Sequence, residues 1–139
     1  MHNTNILLPM VAMAFWTFAV TFYLGRVRVL AVRNKQLKLS YFRYNQTEEV
    51  PEQITRVIQH YNNLFELNGL FYPAIIGLYI LGAGNYMLAV ILAWVYVSAR
   101  VIHTLIHLGS NNVQKRFAAF LLSFGVLMIL WCLILIKII

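Results

Sequence analysis

A polar stripe runs along one side of a predicted helix that leads into a long apolar segment. Within residues 56–73, an arc of roughly 80° at helical spacing contains four polar residues: Arg56, Gln59, Asn63 and Glu66. A carboxylate at membrane depth costs a few kcal/mol unless it is paired or hydrated. Glu66 therefore needs a partner, and we expect it to pair with Arg100 or with an arginine of a neighbouring subunit.

A second polar stripe lies on the next predicted helix. Four of its residues fall within roughly 60° of one another: Tyr96, Arg100, His103 and His107. A lone histidine inside a membrane helix is usually a packing residue, but two histidines and an arginine on one stripe favour a binding or catalytic site.

Metal chemistry is less well supported by the sequence. His103 and His107 have the i, i+4 spacing of a zinc-binding pair, and Glu66 is a conceivable third ligand. Arg100 on the same stripe would repel a dication, so we predict no metal site.

Cys132 is the only cysteine, which excludes a disulfide within the chain, and we expect it to be buried in helix packing.

Both polar stripes lie on helices that the sequence predicts to cross a membrane. The chain has 139 residues, of which 61% are hydrophobic. Charge-free runs cover residues 6–24, 67–99 and 117–136, and a helix needs about 20 apolar residues to cross a bilayer. Turn residues at 82–85 divide the longest run. The sequence therefore predicts an all-α, integral membrane four-helix bundle in one domain, with spans near 6–28, 54–81, 86–108 and 116–137.

The net charge of +7 is distributed unevenly over the predicted loops. Basic residues flank or occupy the first and third loops: Arg26, Arg28, Arg33, Lys35, Lys38, Arg43, Arg56, Lys115 and Arg116. The second loop carries no charge. The positive-inside rule then places loops one and three in the cytoplasm and both termini on the opposite side. Nucleic-acid binding is disfavoured, because the basic residues accompany spans and the aromatic residues lie within them.

Local signals refine the helix ends. The first helix is expected to end at residues 25–28, and residues 34–50 form a polar loop. Pro51 suits the first turn of the second helix, and Pro73 predicts a kink because its ring would clash with the carbonyl of Gly69. Residues 109–112 are expected to end the third helix and cap the fourth.

Four motifs in this order resemble a known family. They are residues 25–28, Asn63-Leu-Phe-Glu66 followed by Leu70-Phe71, Arg100-Val-Ile-His103-Thr104, and Arg116. The chain resembles the membrane-associated proteins in eicosanoid and glutathione metabolism, the MAPEG family, which are trimers of four-helix protomers. The resemblance implies a homotrimer in the lipid bilayer with binding sites between subunits.

The resemblance also implies roles for the polar residues, with glutathione as co-substrate. Arg28 and Arg56 would hold its carboxylates, Glu66 its ammonium and Asn63 a peptide group. Arg116 would favour the thiolate and so act in catalysis. The remaining residues of the expected glutathione site are Arg100, His103 and His107. The electrophile would be a hydrophobic molecule that enters laterally between subunits.

Three departures from the family pattern bear on function. Gln59 stands where family enzymes usually have arginine, Phe120 where a tyrosine is common, and Phe117 where several members have serine.

The leading interpretation is a glutathione-dependent transferase or peroxidase acting on hydrophobic electrophiles. The second is a MAPEG-fold protein without the chemistry, in a structural or lipid-binding role. The third is a small proton-coupled transporter with Glu66 and the histidines as a relay.

The charge distribution makes a direct prediction about topology. Reporter fusions at Asn45, at Asn85 and at the C terminus should report a cytoplasmic first loop, with the second loop and the C terminus on the other side. A cytoplasmic C terminus would contradict the predicted orientation.

Overall fold

The computed structural model describes residues 5–38, 41, 50–84 and 86–139, and its regular structure there is entirely helical. Within these described residues, four helices follow in order: α1 (Leu7–Arg33), α2 (Glu52–Ile80), α3 (Met87–Leu108) and α4 (Val113–Ile138). The predicted all-α, four-helix order is confirmed. Within the described residues, α1, α3 and α4 are long and apolar enough to cross a membrane. Polar residues in α2 lower its hydropathy, so its membrane crossing stays a prediction.

The first helix is longer than the sequence suggested. We expected it to end at residues 25–28, but α1 continues to Arg33, because one glycine weakens a helix without ending it. Most of the loop predicted after it, including Arg43, lies outside the described residues. We expected Pro51 in the first turn of the second helix, but it is the N-cap residue and α2 begins at Glu52; α2 then runs through Pro73 as one helix.

Both short connections have the expected turn chemistry. Gly82 has a positive φ of 72° between α2 and α3, a conformation that glycine adopts without steric cost. Between α3 and α4, Asn112 caps the N-terminus of α4, since its Oδ1 accepts a hydrogen bond from the Lys115 amide at 3.0 Å. The predicted end of α3 and cap of α4 are confirmed.

A buried polar network connects the first three helices. The Asn68 side-chain amide on α2 donates to Thr17 Oγ1 on α1 at 3.1 Å, and the Tyr96 hydroxyl on α3 donates to Asn68 Oδ1 at 3.0 Å. The Tyr96 ring also stacks on Phe71, with ring centroids 4.1 Å apart. A helix that slid along its neighbours would leave a buried amide unsatisfied, so this network fixes the register of the bundle.

The fourth helix closes the bundle against α2 and α3. Trp131 Nε1 donates to the Leu70 carbonyl at 3.2 Å, and the space beside Gly77 is occupied by the Ile134 side chain. Cys132 is exposed on α4, so its predicted burial was wrong. Ala93 on α3 is buried within the protomer and serves packing there.

The outer surface of the protomer is strongly apolar. On α1 alone, Phe15, Phe18 and Phe22 are 69%, 67% and 76% exposed. Side chains of this size on the outside of apolar helices require lipid or another protein surface as their surroundings.

The polar network predicts a measurable stability difference between two tyrosine variants. Tyr96→Phe removes the hydroxyl that satisfies Asn68, and hydrogen bonds between membrane helices contribute about 0.6 kcal/mol on average and up to about 1.7 kcal/mol. The Tm of the detergent-solubilised variant should fall by a few degrees. Tyr86→Phe, at an exposed position, is the control and should leave the Tm unchanged. Equal Tm values for the two variants would show that the network contributes little.

Candidate functional site

The polar stripe of α3 faces the interior of the protomer. Tyr96 and Arg100 are completely buried, His103 is 2% exposed and His107 4% exposed. The prediction that these four side chains share one face is confirmed. Tyr96 belongs to the network that fixes the register of the bundle, and the concentration of polar groups beside it makes this face the candidate site.

Arg100 is held by neutral oxygen atoms of α2. Its Nη2 donates to the Asn63 carbonyl at 2.9 Å and to Asn63 Oδ1 at 3.2 Å. Its Nε and Nη1 have no hydrogen-bond partner among the described residues. The buried cation therefore fixes the position of Asn63 and depends on it in return.

The predicted pairing of Glu66 with Arg100 is wrong within the protomer. No ion pair joins these two residues, both of which the structure describes, and Glu66 is exposed on α2. The physical reason is rotation about the helix axis: Glu66 lies roughly 60° from Asn63 around α2, on the side away from the buried face. Pairing with an arginine of a neighbouring subunit stays a prediction.

A pocket of about 280 Å³ opens where α2, α3 and α4 meet. Three predicted site residues, one from each helix, contribute to its lining: Asn63, His103 and Arg116. Val113, Phe117 and Phe120 complete it and give it an apolar wall. Two of the positions that depart from the family pattern, Phe117 and Phe120, thus lie at the pocket. An apolar wall beside a few polar groups is the usual construction of a small-molecule site.

The hairpin between α3 and α4 positions Arg116. Its Nη1 donates to Asn111 Oδ1 at 3.0 Å and lies 3.3 Å from His107 Nε2. Asn111 has a positive φ of 49°, a conformation in which asparagine is enriched, and this turns its side chain toward Arg116. Both contacts are with uncharged acceptors, so the guanidinium keeps its capacity to bind an anion in the pocket.

Five predicted glutathione-binding residues do not line this pocket: Arg28, Arg56, Glu66, Arg100 and His107. Arg56 Nε donates to Glu52 Oε1 at 3.1 Å, one helical turn away. Exposed ion pairs of this kind contribute little free energy. Arg56 can therefore release Glu52 and bind another anion. Arg28 is half-buried on α1.

His60 is a polar residue of the interior that lies outside the predicted polar stripe of α2. It is completely buried on α2, and its ring centroid lies 5.6 Å from that of His103 and 5.1 Å from that of His107. The signal was present in the sequence, because His60 shares its helical face with Leu64 and Leu67, both apolar. The structure brings His60, and not Glu66, close to His103 and His107, so that one ring nitrogen from each histidine lies within 4.8 Å of the others.

The uncompensated burial of Arg100 predicts an unusual result of substitution. Replacing a buried ion pair by apolar residues of similar size is often neutral or stabilising by about 1–4 kcal/mol, and Arg100 has no carboxylate partner among the described residues that its removal would leave uncompensated. Arg100→Met should therefore keep or raise the Tm of the detergent-solubilised protein, and Arg56→Met, at the partly exposed pair, should change it little. A Tm of Arg100→Met several degrees below wild type would show that the bonds to Asn63 outweigh the cost of burying the charge.

Comparison with protein families identifies the chain. The family model described as the MAPEG family matches residues 6–136, nearly the whole sequence, so the chain belongs to the MAPEG family and the resemblance in its motifs is confirmed. Curated proteins and solved structures gave no match. Family membership and the three apolar helices together indicate a membrane protein. At the level of the family, they fit a glutathione-related function of the transferase or peroxidase type.

Proposed function

We propose that this protein is a membrane-bound, glutathione-dependent transferase or peroxidase that acts on hydrophobic electrophiles. The observation that carries the proposal is the pocket in which Arg116 faces an apolar wall formed with Phe117 and Phe120. A cation at that position stabilises a thiolate, and the aromatic wall suits a lipid-soluble second substrate.

Arg116 has the central role in the proposed reaction. Its guanidinium favours the glutathione thiolate over the thiol, and the thiol proton passes to water. In a transferase reaction, the sulfur forms a bond to the electrophilic carbon and the leaving group departs with its bonding electrons. In a peroxidase reaction, the thiolate attacks a peroxide oxygen and the O–O bond breaks. The alkoxide leaves and takes up a proton, and a second glutathione converts the sulfenic acid to disulfide and water.

The rest of glutathione needs more partners than the pocket provides. Asn63 and His103 can hydrogen-bond a peptide group, since both line the pocket. We propose that the carboxylates bind arginines such as Arg28 and Arg56, and that the ammonium binds Glu66. These side chains lie away from the pocket in one protomer, so the complete site would include a neighbouring subunit.

A homotrimer is the assembly that we propose. Glu66 is exposed on α2, and a carboxylate at membrane depth requires a partner that the protomer does not supply among its described residues. The large apolar side chains on the outside of α1 also need a cover, which lipid and neighbouring subunits would share. In this arrangement α2 is the fourth membrane span, loops one and three are cytoplasmic, and both termini lie on the opposite side.

A second function is favoured by the same aromatic wall. Phe117 and Phe120 remove hydroxyl groups that family members commonly have near the arginine, and a pocket of this kind can hold a lipid without any reaction. A structural or lipid-binding MAPEG protein would bind apolar ligands and show no turnover. A proton relay through Glu66 has less support, because Glu66 is exposed and stands apart from the histidine group.

The proposed role of Arg116 predicts a loss of rate without a loss of folding. Wild-type protein in detergent should gain thermal stability with glutathione and conjugate it to 1-chloro-2,4-dinitrobenzene. Loss of one donor that stabilises a developing anion lowers kcat by about 100-fold or more, so Arg116→Ala should lose that factor and keep its Tm in the absence of ligand.

Lys115→Ala is the matched control, because it removes the same charge from the neighbouring, exposed position. It should retain wild-type turnover. Equal rates in the two variants would exclude Arg116 as the thiolate partner. Wild-type protein without turnover and without a response to glutathione would favour the lipid-binding function instead.

A further inference from the structure

Three buried histidines from two helices meet inside the protomer. His60 comes from α2, and His103 and His107 come from successive turns of α3. One ring nitrogen from each lies within 4.8 Å of the others, and all three side chains are buried. The ring centroids of His103 and His107 are 5.7 Å apart, and each lies within 5.6 Å of the His60 ring centroid.

Most ring nitrogens of this group lack hydrogen-bond partners, and His107 Nε2, which lies 3.3 Å from Arg116 Nη1, is an exception. Over the described part of the chain, both nitrogens of His60 and the Nδ1 atoms of His103 and His107 are buried without one. Most buried polar side-chain atoms have a partner, so four such atoms in one small region require an explanation. We propose that His60, His103 and His107 form a binding site for a transition-metal dication, with Zn²⁺ as the best match.

The geometry suits a tetrahedral ion. With Zn–N bonds of about 2.0–2.1 Å, the nitrogens of two tetrahedral ligands stand about 3.4 Å apart. The present separations of up to 4.8 Å close to that value through small rotations of the side chains. Neutral imidazole is a preferred ligand of zinc, copper and nickel, whereas magnesium and calcium prefer oxygen.

Two arginines near the histidines favour an anion as the fourth ligand of the metal. Arg100 lies on the same stripe of α3, and Arg116 Nη1 is 3.3 Å from His107 Nε2. Each guanidinium opposes a dication, and the repulsion by Arg100 was the reason for expecting no metal from the sequence. An anionic fourth ligand offsets this repulsion, and His103 and Arg116 line the pocket through which such an anion would arrive. Three protein ligands and one exchangeable position are the pattern of open zinc sites.

The site shares His103 with the proposed glutathione pocket, but zinc binding does not require the transferase chemistry. Its three ligands belong to one protomer, so it needs neither a trimer nor glutathione. No acidic side chain joins it among the described residues, since Glu52 bonds Arg56 and Glu66 stands apart. Binding should therefore strengthen when a small anion such as azide is present, because the anion fills the fourth position.

The test is zinc binding by the full chain in detergent, purified with a tag that contains no histidine and depleted of metal. Wild-type protein should bind about one Zn²⁺ per protomer, and the variants His60→Gln, His103→Gln and His107→Gln should bind at least about 100-fold more weakly. The chain has four histidines, so His2→Gln is the matched control and should bind like wild type. Zinc binding at wild-type strength in the variants His60→Gln, His103→Gln and His107→Gln would overturn the proposal.

A measurement on wild-type protein alone keeps the test valid if a variant fails to fold. Co²⁺ in place of Zn²⁺ should give the visible absorption of a tetrahedral ion, and X-ray absorption of the zinc-loaded protein should report three imidazole ligands. Absence of stoichiometric zinc, or a spectrum dominated by oxygen ligands, would overturn the site. Neither result depends on glutathione turnover, so the transferase proposal stands or fails by its own assay.

Discussion

The central constraint on this molecule is a positive charge buried in an apolar bundle. Arg100 is completely buried, and its hydrogen bonds go to the Asn63 side chain and carbonyl instead of to a carboxylate. A guanidinium in that environment tolerates little displacement, because loss of either bond leaves more of the charge unsatisfied. The contact therefore fixes how α2 faces α3. It also brings Asn63 to the pocket and His60 against the two histidines of α3.

The inward face of α3 was predictable because its polar groups are few and its other residues are apolar. Four polar side chains within roughly 60° on such a helix have one stable orientation, toward the protein interior. The α2 stripe was harder to interpret. A wheel shows that Asn63 and Glu66 are neighbours, but it does not show which edge of the stripe meets the core. The apolar residues decide that, and Leu64 and Leu67 place His60 inside and Glu66 outside.

The other predictions succeeded where a feature depends on adjacent residues and failed where it depends on how the helices pack. The cap at Asn112 and the turn at Gly82 depend on a few adjacent residues, so their chemistry could be read from the sequence. Cys132 could not be placed, because α4 is apolar on nearly every side and periodicity does not identify its buried face. Its exposure depends on how α4 rotates against α2, which contacts such as Trp131 with the Leu70 carbonyl establish.

Arg116 and Arg100 differ in what their charges can do. Arg100 is enclosed and already bound to Asn63, so it contributes an electric field and a fixed position for that asparagine. Arg116 lines the pocket, and its present partners, Asn111 and His107, are neutral and exchangeable. An anion that enters the pocket gains from both guanidinium groups and displaces only weak contacts. A thiolate beside Arg116 and an anion completing a histidine-bound metal are both ways to supply that negative charge. The positive potential of the pocket thus favours an anionic species at its centre, while its aromatic wall leaves the remaining space to an apolar molecule.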